Sequence, residues 1–467
     1  MYKSSYYNCL IPVPELNEYL LFNTCTGGLI ALNENEGHFI KELIDGTINI
    51  TEIDKYQSLY DNLRERGYLV SSELDEIELY KEKYIERTNR LFYSEDANIV
   101  LTLATTNACN MECPYCYEFT KNSSVFSNDS MDKLIIFLES VIKNSPIKNW
   151  RGFGITWYGG EPLIGKNVIE SLTPQLISFA KKNGMEYKAD IITNGILLTD
   201  ETWEMLQKNN VNWAQITIDG PKHVHNKNRP LKNKNEKNYE RILENIAKIP
   251  DGMRVTIRVN TDKEVVDSFG ELLEDLKSYG IWPQRYKNIN VSPSLLRTYP
   301  QANEIDTSCR IPNKEFNIYY QKLRQMKFDF FNDWASKNNV NHGRLIFQVE
   351  KPSFEDCWSI ISPYNFCIDA DGFTHKCWED VNDVNTRLQS ISEEFDIEKY
   401  RFSLNYNRIS VSGCDICKYL PVCGDISCPQ HHNKIAKCIY KDGSIEEGIK
   451  AQYLKYSENP DIMFLKK

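Results

Sequence analysis

No stretch of the sequence approaches the roughly 18 consecutive apolar residues that a membrane span requires. The start, MYKSSYYNCLIPVPELNEYL, also lacks a basic region followed by an apolar segment of signal-peptide length, so a cytoplasmic protein with no membrane partner is expected. Positive charge is in deficit. With 55 Lys and Arg against 65 Asp and Glu the net charge is -10, which argues against a phosphate-tracking surface and against a nucleic-acid partner. Histidine is scarce, and its seven copies show no ligand spacing; His375 beside Cys377 and the pair His431-His432 read as solvated or as neighbours of ligands. Low-complexity tracts are missing too, and 467 residues that are 41% apolar supply core enough for two to four domains.

Cysteine, by contrast, is plentiful: fourteen copies, of which eight fall between Cys357 and Cys438. Reduced thiols at short spacings bind metal more often than they pair as disulfides. In TNACNMECPYCYEF, Cys109, Cys113 and Cys116 are separated by three residues and then two. Structural zinc takes four ligands, and this loop has three. A three-thiol set suits a 4Fe-4S cluster that leaves one iron open.

The loop follows NIVLTLAT (98–105), an apolar β-branched run that reads as a buried strand. Similar strands are expected at 152–160, 187–195, 212–220, 253–260 and 288–294. Amphipathic stretches at 131–144, 201–209, 239–249 and 269–280 lie between them. Strand and helix thus alternate at roughly thirty-residue intervals, which implies an α/β fold with a parallel sheet and right-handed crossovers. Six units predict a partial (β/α)6 barrel. Its noteworthy residues follow strands: the cysteine loop, Gly159-Gly160-Glu161-Pro162, Thr193-Asn194-Gly195, Asp219-Gly220-Pro221, and Arg258 with Asn260. Glycines at 159 and 160 permit a ligand to approach the backbone, and Glu161 can accept from a cationic amino group. Read alone, GGEP is also an ordinary strand-ending turn.

Cys109-x3-Cys113-x2-Cys116 with Tyr115 before the last Cys, WYGGEP after the second strand and TNG after the third, taken in order, resemble the motifs of radical S-adenosylmethionine (radical SAM) enzymes. The resemblance implies that Cys109, Cys113 and Cys116 hold a 4Fe-4S cluster whose fourth iron binds S-adenosylmethionine. It places Gly159, Gly160 and Glu161 at the methionine end of that cofactor, Tyr115 near the adenine, Thr193 and Asn194 at the ribose, and Arg258 at the carboxylate. An ion pair at the barrel end is the alternative for Arg258. Asp219, in ITIDGPKHVHNKNRP, is a candidate catalytic carboxylate at the barrel mouth or else a turn cap.

Further on, Cys357-x14-Gly372-x4-Cys377 and Cys414-x2-Cys417-x5-Cys423-x4-Cys428-x9-Cys438 resemble the SPASM pattern of the peptide-modifying branch, with one residue more than usual between Cys423 and Cys428. This implies two auxiliary 4Fe-4S clusters, three in all. Cys414, Cys417, Cys423 and Cys438 would hold the outer one. Cys357, Cys377 and Cys428 would hold the inner one, with Cys367 a possible fourth ligand and Cys309 a weaker candidate. A zinc ribbon of Cys414, Cys417, Cys423 and Cys428 is the alternative, though it leaves Cys357, Cys377 and Cys438 without a role.

Before the barrel, NEYLLFNTCTGGLIALNENEGHFIKEL predicts a hairpin turning near Thr26 to Gly28, then a helix capped by Asn33 and Glu36. A helix at 52–67 and a short strand at 68–70 follow. The element order resembles the winged-helix recognition element that captures leader peptides, so a precursor peptide with a leader is the expected partner, bound by strand addition. Cys9 and Cys25 read as inert thiols. The expected divisions are 1–88 for this module, 95–300 for the barrel, 301–350 for a helical bridge, 351–450 for the cluster domain and 451–467 for a tail. Residues 77–91 are expected to form a linking helix. The resemblance implies a maturase of a ribosomally made peptide, with thioether formation from a substrate Cys as the leading reaction. Carbon-carbon crosslinking and formylglycine formation on a sulfatase are the alternatives. A flavodoxin or ferredoxin would donate electrons.

Overall fold

The computed structural model describes the chain except residues 1, 49, 93, 119–121, 235–236, 297–310, 312, 342–345, 348, 350, 382, 402–406, 424–442, 459–462 and 465–467. Cys309, Cys428, Cys438, His431 and His432 lie outside the described residues.

At the N-terminus, β1 (Tyr2–Ser4), β2 (Asn8–Val13), β3 (Glu18–Asn23) and β4 (Leu29–Asn33) come first, and β2-β3-β4 form an antiparallel sheet. A helix spanning Glu34–Asp45 starts at Asn33, whose side chain accepts from the Glu36 N–H while Glu36 accepts from the Asn33 N–H, the reciprocal box that satisfies two orphan donors. Strand β5 (Leu69–Ser71) pairs back on β1.

The centre is a mostly parallel sheet. Strands β6 (Asp96–Thr106), β7 (Asn149–Gly159), β8 (Glu186–Thr193), β9 (Val211–Thr217), β10 (Arg254–Thr261) and β11 (Ile289–Leu295) lie side by side in chain order, all parallel. Helices cover them for a simple reason of spacing: in Asn128–Asn144, Met131, Leu134, Phe137, Leu138 and Val141 recur at three- and four-residue steps and are buried. Of the helices around this sheet, two escape the sequence reading. Lys166–Lys182 carries Pro174 inside it, which breaks the expected pattern, and Lys222–Asn228 is too short and polar to show periodicity.

After the two-residue β12 (Ile346–Phe347), β13 (Asn365–Ile368) joins the free edge of β6 in parallel, with Asn365 opposite Val100 and Cys367 opposite Thr102. Strands β14 (Phe373–His375) and β15 (Gln389–Ser390) continue the sheet antiparallel, for nine strands in all, and β16 (Met463–Phe464) pairs with β12. The C-terminal region therefore shares its hydrogen-bonded sheet with the barrel strands.

The N-terminal module docks on the cysteine-rich region. Tyr7, Tyr80, Tyr84 and Leu420 form one apolar cluster, with Cys25, Cys414, Cys417 and Cys423 packed against it. The Tyr6 hydroxyl donates to the Ile416 carbonyl and that of Thr24 to the Lys418 carbonyl. Tyr84, on the helix Glu76–Phe92, donates to Asp356, which is paired with the buried Arg408 at 2.7 Å. Among the described residues no helix is long and apolar enough to cross a membrane.

Candidate functional site

Strand β6 delivers the chain into the cysteine loop, and three other motifs pin that loop from outside. The Gly160 N–H donates to Thr106 O at 3.0 Å and the Glu161 N–H to Ala108 O at 2.8 Å. On the far side, Glu112 N–H donates to Pro230 O at 2.8 Å and Lys232 N–H to Asn110 O at 2.9 Å. The Asn194 side chain donates to the Asn110 side chain at 2.7 Å. Cys109, Cys113 and Cys116 then line a cavity of about 310 Å³ together with Tyr115, Gly159, Gly160, Glu161, Thr193, Asn194 and Arg258. Residues scattered over 150 positions of sequence thus meet in one place.

The roles of individual groups differ from the sequence reading at several points. The glycines border the cavity, and their missing side chains make room for the cysteine loop. A Cβ on Gly160 would lie 2.4 Å from the Ala108 carbonyl oxygen, and one on Gly159, at φ +118°, would lie 2.2 Å from the Thr106 oxygen. Glu161 is fully buried and already engaged: its carboxylate accepts from the Thr193 hydroxyl at 2.6 Å, the Asn194 N–H at 2.8 Å and the Leu163 N–H at 3.1 Å. Burial pushes its pKa up, while those three donors oppose the shift. Thr193 and Asn194, expected at a ribose, have their side-chain donors occupied by Glu161 and Asn110. These three residues lock the motifs together.

Asp219 is completely buried and accepts from the cavity-lining Tyr115, and it does not itself line the cavity. The Tyr115 hydroxyl donates to Asp219 Oδ2 at 2.5 Å and accepts from Arg229 Nη1 at 2.6 Å and from Asn260 Nδ2 at 3.2 Å. Arg258 Nε donates to Asn260 Oδ1 at 2.9 Å, continuing the network along β10. Burial raises the Asp219 pKa, with Arg229 and Tyr115 pulling the other way. Burial works against the Arg229 cation, but Tyr115, Cys113 and Asp219 around it outweigh that and hold it charged. Arg229 is the site residue missed in the sequence; it sits in a Lys- and Asn-rich stretch with no periodicity, two positions before the isolated bridge between Leu231 and Met111.

Beside this network His225 is buried, accepts from the Asp219 N–H at 3.2 Å through Nδ1, and has its pKa lowered to about 3 by burial and by Arg229. The Cys113 thiol is pushed up to about 12 by burial, with Arg229 pulling it down. Among the described residues no three His, Cys, Asp or Glu side chains converge as for a single metal ion. The three thiols instead line a shared wall, and iron-sulfur clusters distribute thiolates over separate irons. Thiols for irons, two guanidinium groups for a carboxylate, and amides and hydroxyls for polar rims form a donor set that fits a cluster with a zwitterionic cofactor.

In the C-terminal region Cys367 is buried on β13, and burial pushes its thiol up to about 12, with the nearby Lys376 pulling down and Asp380 and Cys357 adding to the rise. Cys377 is raised mainly by burial and then by Cys367, so Cys367 lies within electrostatic reach of both Cys357 and Cys377. Cys414, Cys417 and Cys423 lie together on the next segment, against the N-terminal tyrosines. Cys9, Cys25, Cys113, Cys357, Cys367, Cys377 and Cys417 are free thiols.

Residues 103–286 match the family profile of the Radical SAM superfamily. The chain is 27% identical to the radical SAM cyclopropyl synthase TigE of Paramaledivibacter caminithermalis, over 45% of this chain and 47% of the relative, so it spans about half the length of that curated relative. It is 23% identical to a cysteine-type anaerobic sulfatase-maturating enzyme of Clostridium novyi, over 70% of this chain and 86% of the relative. Among solved structures it is similar in fold to native anSMEcpe with bound AdoMet and Cp18Cys peptide, with a TM-score of 0.55 at 15% identity, covering 78% of this chain and 99% of that one. The span that matches the profile, residues 103–286, carries the cysteine loop and the turns after β7 and β8 that pin it.

Proposed function

We propose that this chain is a radical SAM maturase of a peptide, in which Cys109, Cys113 and Cys116 hold the 4Fe-4S cluster. The observation that carries this reading is the cavity, where three thiols face Arg229 and Arg258 across a polar wall. A bound cluster and S-adenosylmethionine would supply reductive cleavage to a 5′-deoxyadenosyl radical, which takes hydrogen from a substrate carbon. The chain's own residues bind and aim. Arg258 and Arg229 present cations to the cofactor carboxylate, and Tyr115 is fixed by Asp219, Arg229 and Asn260 so that its ring makes a rigid wall. Glu161, with Thr193 and Asn194, holds the strand-end turns in register beneath the cysteine loop. Asp219 is read as a positioning residue for Tyr115.

The auxiliary 4Fe-4S clusters are assigned as before: Cys357, Cys377 and Cys428, with Cys367 a possible fourth ligand, to the inner site, and Cys414, Cys417, Cys423 and Cys438 to the outer one. The N-terminal module is read as the receptor for a leader, and a flavodoxin or ferredoxin as the donor. Thioether formation is the leading reaction. Carbon-carbon bond formation is supported by the cyclopropyl synthase among the relatives. Formylglycine formation on a sulfatase is a second reading, supported by a relative of which the chain covers 86%.

One experiment tests the core of the proposal. Anaerobically reconstituted chain with dithionite and S-adenosylmethionine is expected to release 5′-deoxyadenosine and methionine, and this release should vanish in Cys116→Ala. Equal release by the variant would overturn it.

A further inference from the structure

The cavity has two unlike kinds of lining. Thiols, hydroxyls, amides and two guanidinium groups supply its polar lining; Leu295, Leu296 and Trp378, with Glu379 next in sequence, are part of its apolar lining. Leu295 ends β11, Leu296 follows it, and Trp378 opens the short turn directly after Cys377. Trp378 is fixed from behind by packing on Ala104, Cys367 and Val381. Its ring meets that of Trp358 at 5.4 Å between centroids, tilted by 56°, and Trp358 stays 39% exposed. Two tryptophans, one next in sequence to Cys357 and the other to Cys377, thus form a shelf that runs from the cavity wall out to solvent. A pair of this kind, with one ring anchored and the other open to water, is an unfinished apolar contact.

Size says what reaches it. At about 310 Å³ the cavity stands at the small end for one ligand, about 300–1,000 Å³. A cofactor engaged by the polar groups leaves a peptide to be met from the solvent side, to which the exposed Trp358, in ring contact with the lining Trp378, is open. Resting on the peptide-substrate reading above, we propose that Trp378, backed by Trp358, forms a subsite for an apolar or aromatic side chain of the peptide, next to the residue that is modified. The Glu379 carboxylate beside it disfavours an acidic side chain there, since like charges at a shared rim repel. Trp at the centre of such a contact commonly dominates its affinity.

The test uses the full-length chain, reconstituted anaerobically with iron and sulfide and saturated with S-adenosylmethionine, to retain peptides from a displayed library of random dodecapeptides. The retained pool is expected to be enriched in aromatic and aliphatic residues and depleted of Asp and Glu. Trp378→Ala is expected to cut retention about tenfold or more and to erase the enrichment, with Trp378→Phe restoring most of both. If Trp378→Ala takes up less iron than the parent, Trp358→Ala, one ring further from the cavity, is expected to cut retention several-fold at full iron content. Peptides retained without apolar enrichment, or retained equally by iron-replete Trp378→Ala or Trp358→Ala, overturn the subsite while leaving the peptide reading intact. Retention of no peptide at all by the parent chain overturns that reading and the subsite with it.

Discussion

The Cys109 loop is pinned by backbone hydrogen bonds to the turn after β7 and to the Pro230 segment and by the Asn194 side chain after β8, whereas Cys414, Cys417 and Cys423 are strung on consecutive three-residue turns. In that second run Cys414 N–H donates to Val411 O at 2.9 Å, Cys417 to Cys414 O at 3.0 Å, Leu420 to Cys417 O at 3.0 Å and Cys423 to Leu420 O at 3.3 Å. Turns of this kind are local, and a single turn fixes several dihedrals for one bond, so they contribute little stability alone. The first group inherits its shape from a nine-stranded sheet. The second inherits it from what is docked on it, namely the tyrosines of the N-terminal module and any metal its thiols bind.

The largest expected effect separates the two groups outright. Replacing Cys109, Cys113 and Cys116 by Ala is expected to lower deoxyadenosine release by a factor on the order of 100 or more and iron content by about four per chain, with far-UV circular dichroism unchanged. Replacing Cys414, Cys417 and Cys423 instead is expected to lose iron and also make the 351–423 region the first to be cut by protease, while the barrel resists. Equal protease resistance of the two variants would dissolve the distinction.

Next in size is Gly160→Ala. Its Cβ would press on the Ala108 carbonyl at 2.4 Å, so the cysteine loop must move. Deoxyadenosine release is expected to fall at least about tenfold with iron reduced, a clash of backbone on backbone being costly to relieve. A variant with full iron and full release would show that the loop is held elsewhere.

The strength of the barrel site can be sharpened through pH. His225 has a folded pKa lowered to about 3 from 6.5, so its contribution is fully present above pH 6.5 and is lost as pH falls toward 3. Between pH 7 and pH 5 the parent is expected to lose about 2 kcal/mol of stability relative to His225→Gln, which does not titrate there. Chemical denaturation at both pH values measures it, and parallel curves would refute the burial argument.

The smallest effect concerns docking of the N-terminal module. Thr24→Val and Tyr6→Phe each remove one hydrogen bond to a carbonyl of the 416–418 turn, and about 1 kcal/mol each is expected from the thermal transition, in the range for a single neutral bond. Hydrogen exchange at Cys417 and Lys418 should quicken in parallel. Removing residues 1–88 is a harsher change, since Tyr7, Tyr80 and Tyr84 leave the apolar cluster around Leu420 with them.

How much of this was visible in the sequence depended on the range of the signal. Strands β6 to β11 were legible because each is a short apolar, β-branched run followed by a turn, and Asn33 with Glu36 announced a helix start by a local rule. The meeting of the cysteine loop with GGEP and TNG was legible through motif order. That Glu161 satisfies Thr193 and Asn194, and that the glycines yield to Ala108 and Thr106, was not, because a motif gives residue types without saying which neighbour takes each lone pair. Arg229 was hidden by its polar surroundings. The pairing of β13 with β6 left no trace either, since a parallel register between residues some 265 apart has no local periodicity.

That last pairing bears on how the chain is made. Synthesis delivers β6 early, with β7 beside it soon after, but the other edge of β6 acquires its neighbour only when Ile368 has been synthesised. Until then a long, apolar parallel edge faces the nascent chain's surroundings, the kind of template that recruits foreign strands. Closing so large a loop is slow compared with forming local contacts. A ribosome stalled before residue 365 would therefore display the parallel strands with this edge of β6 still open.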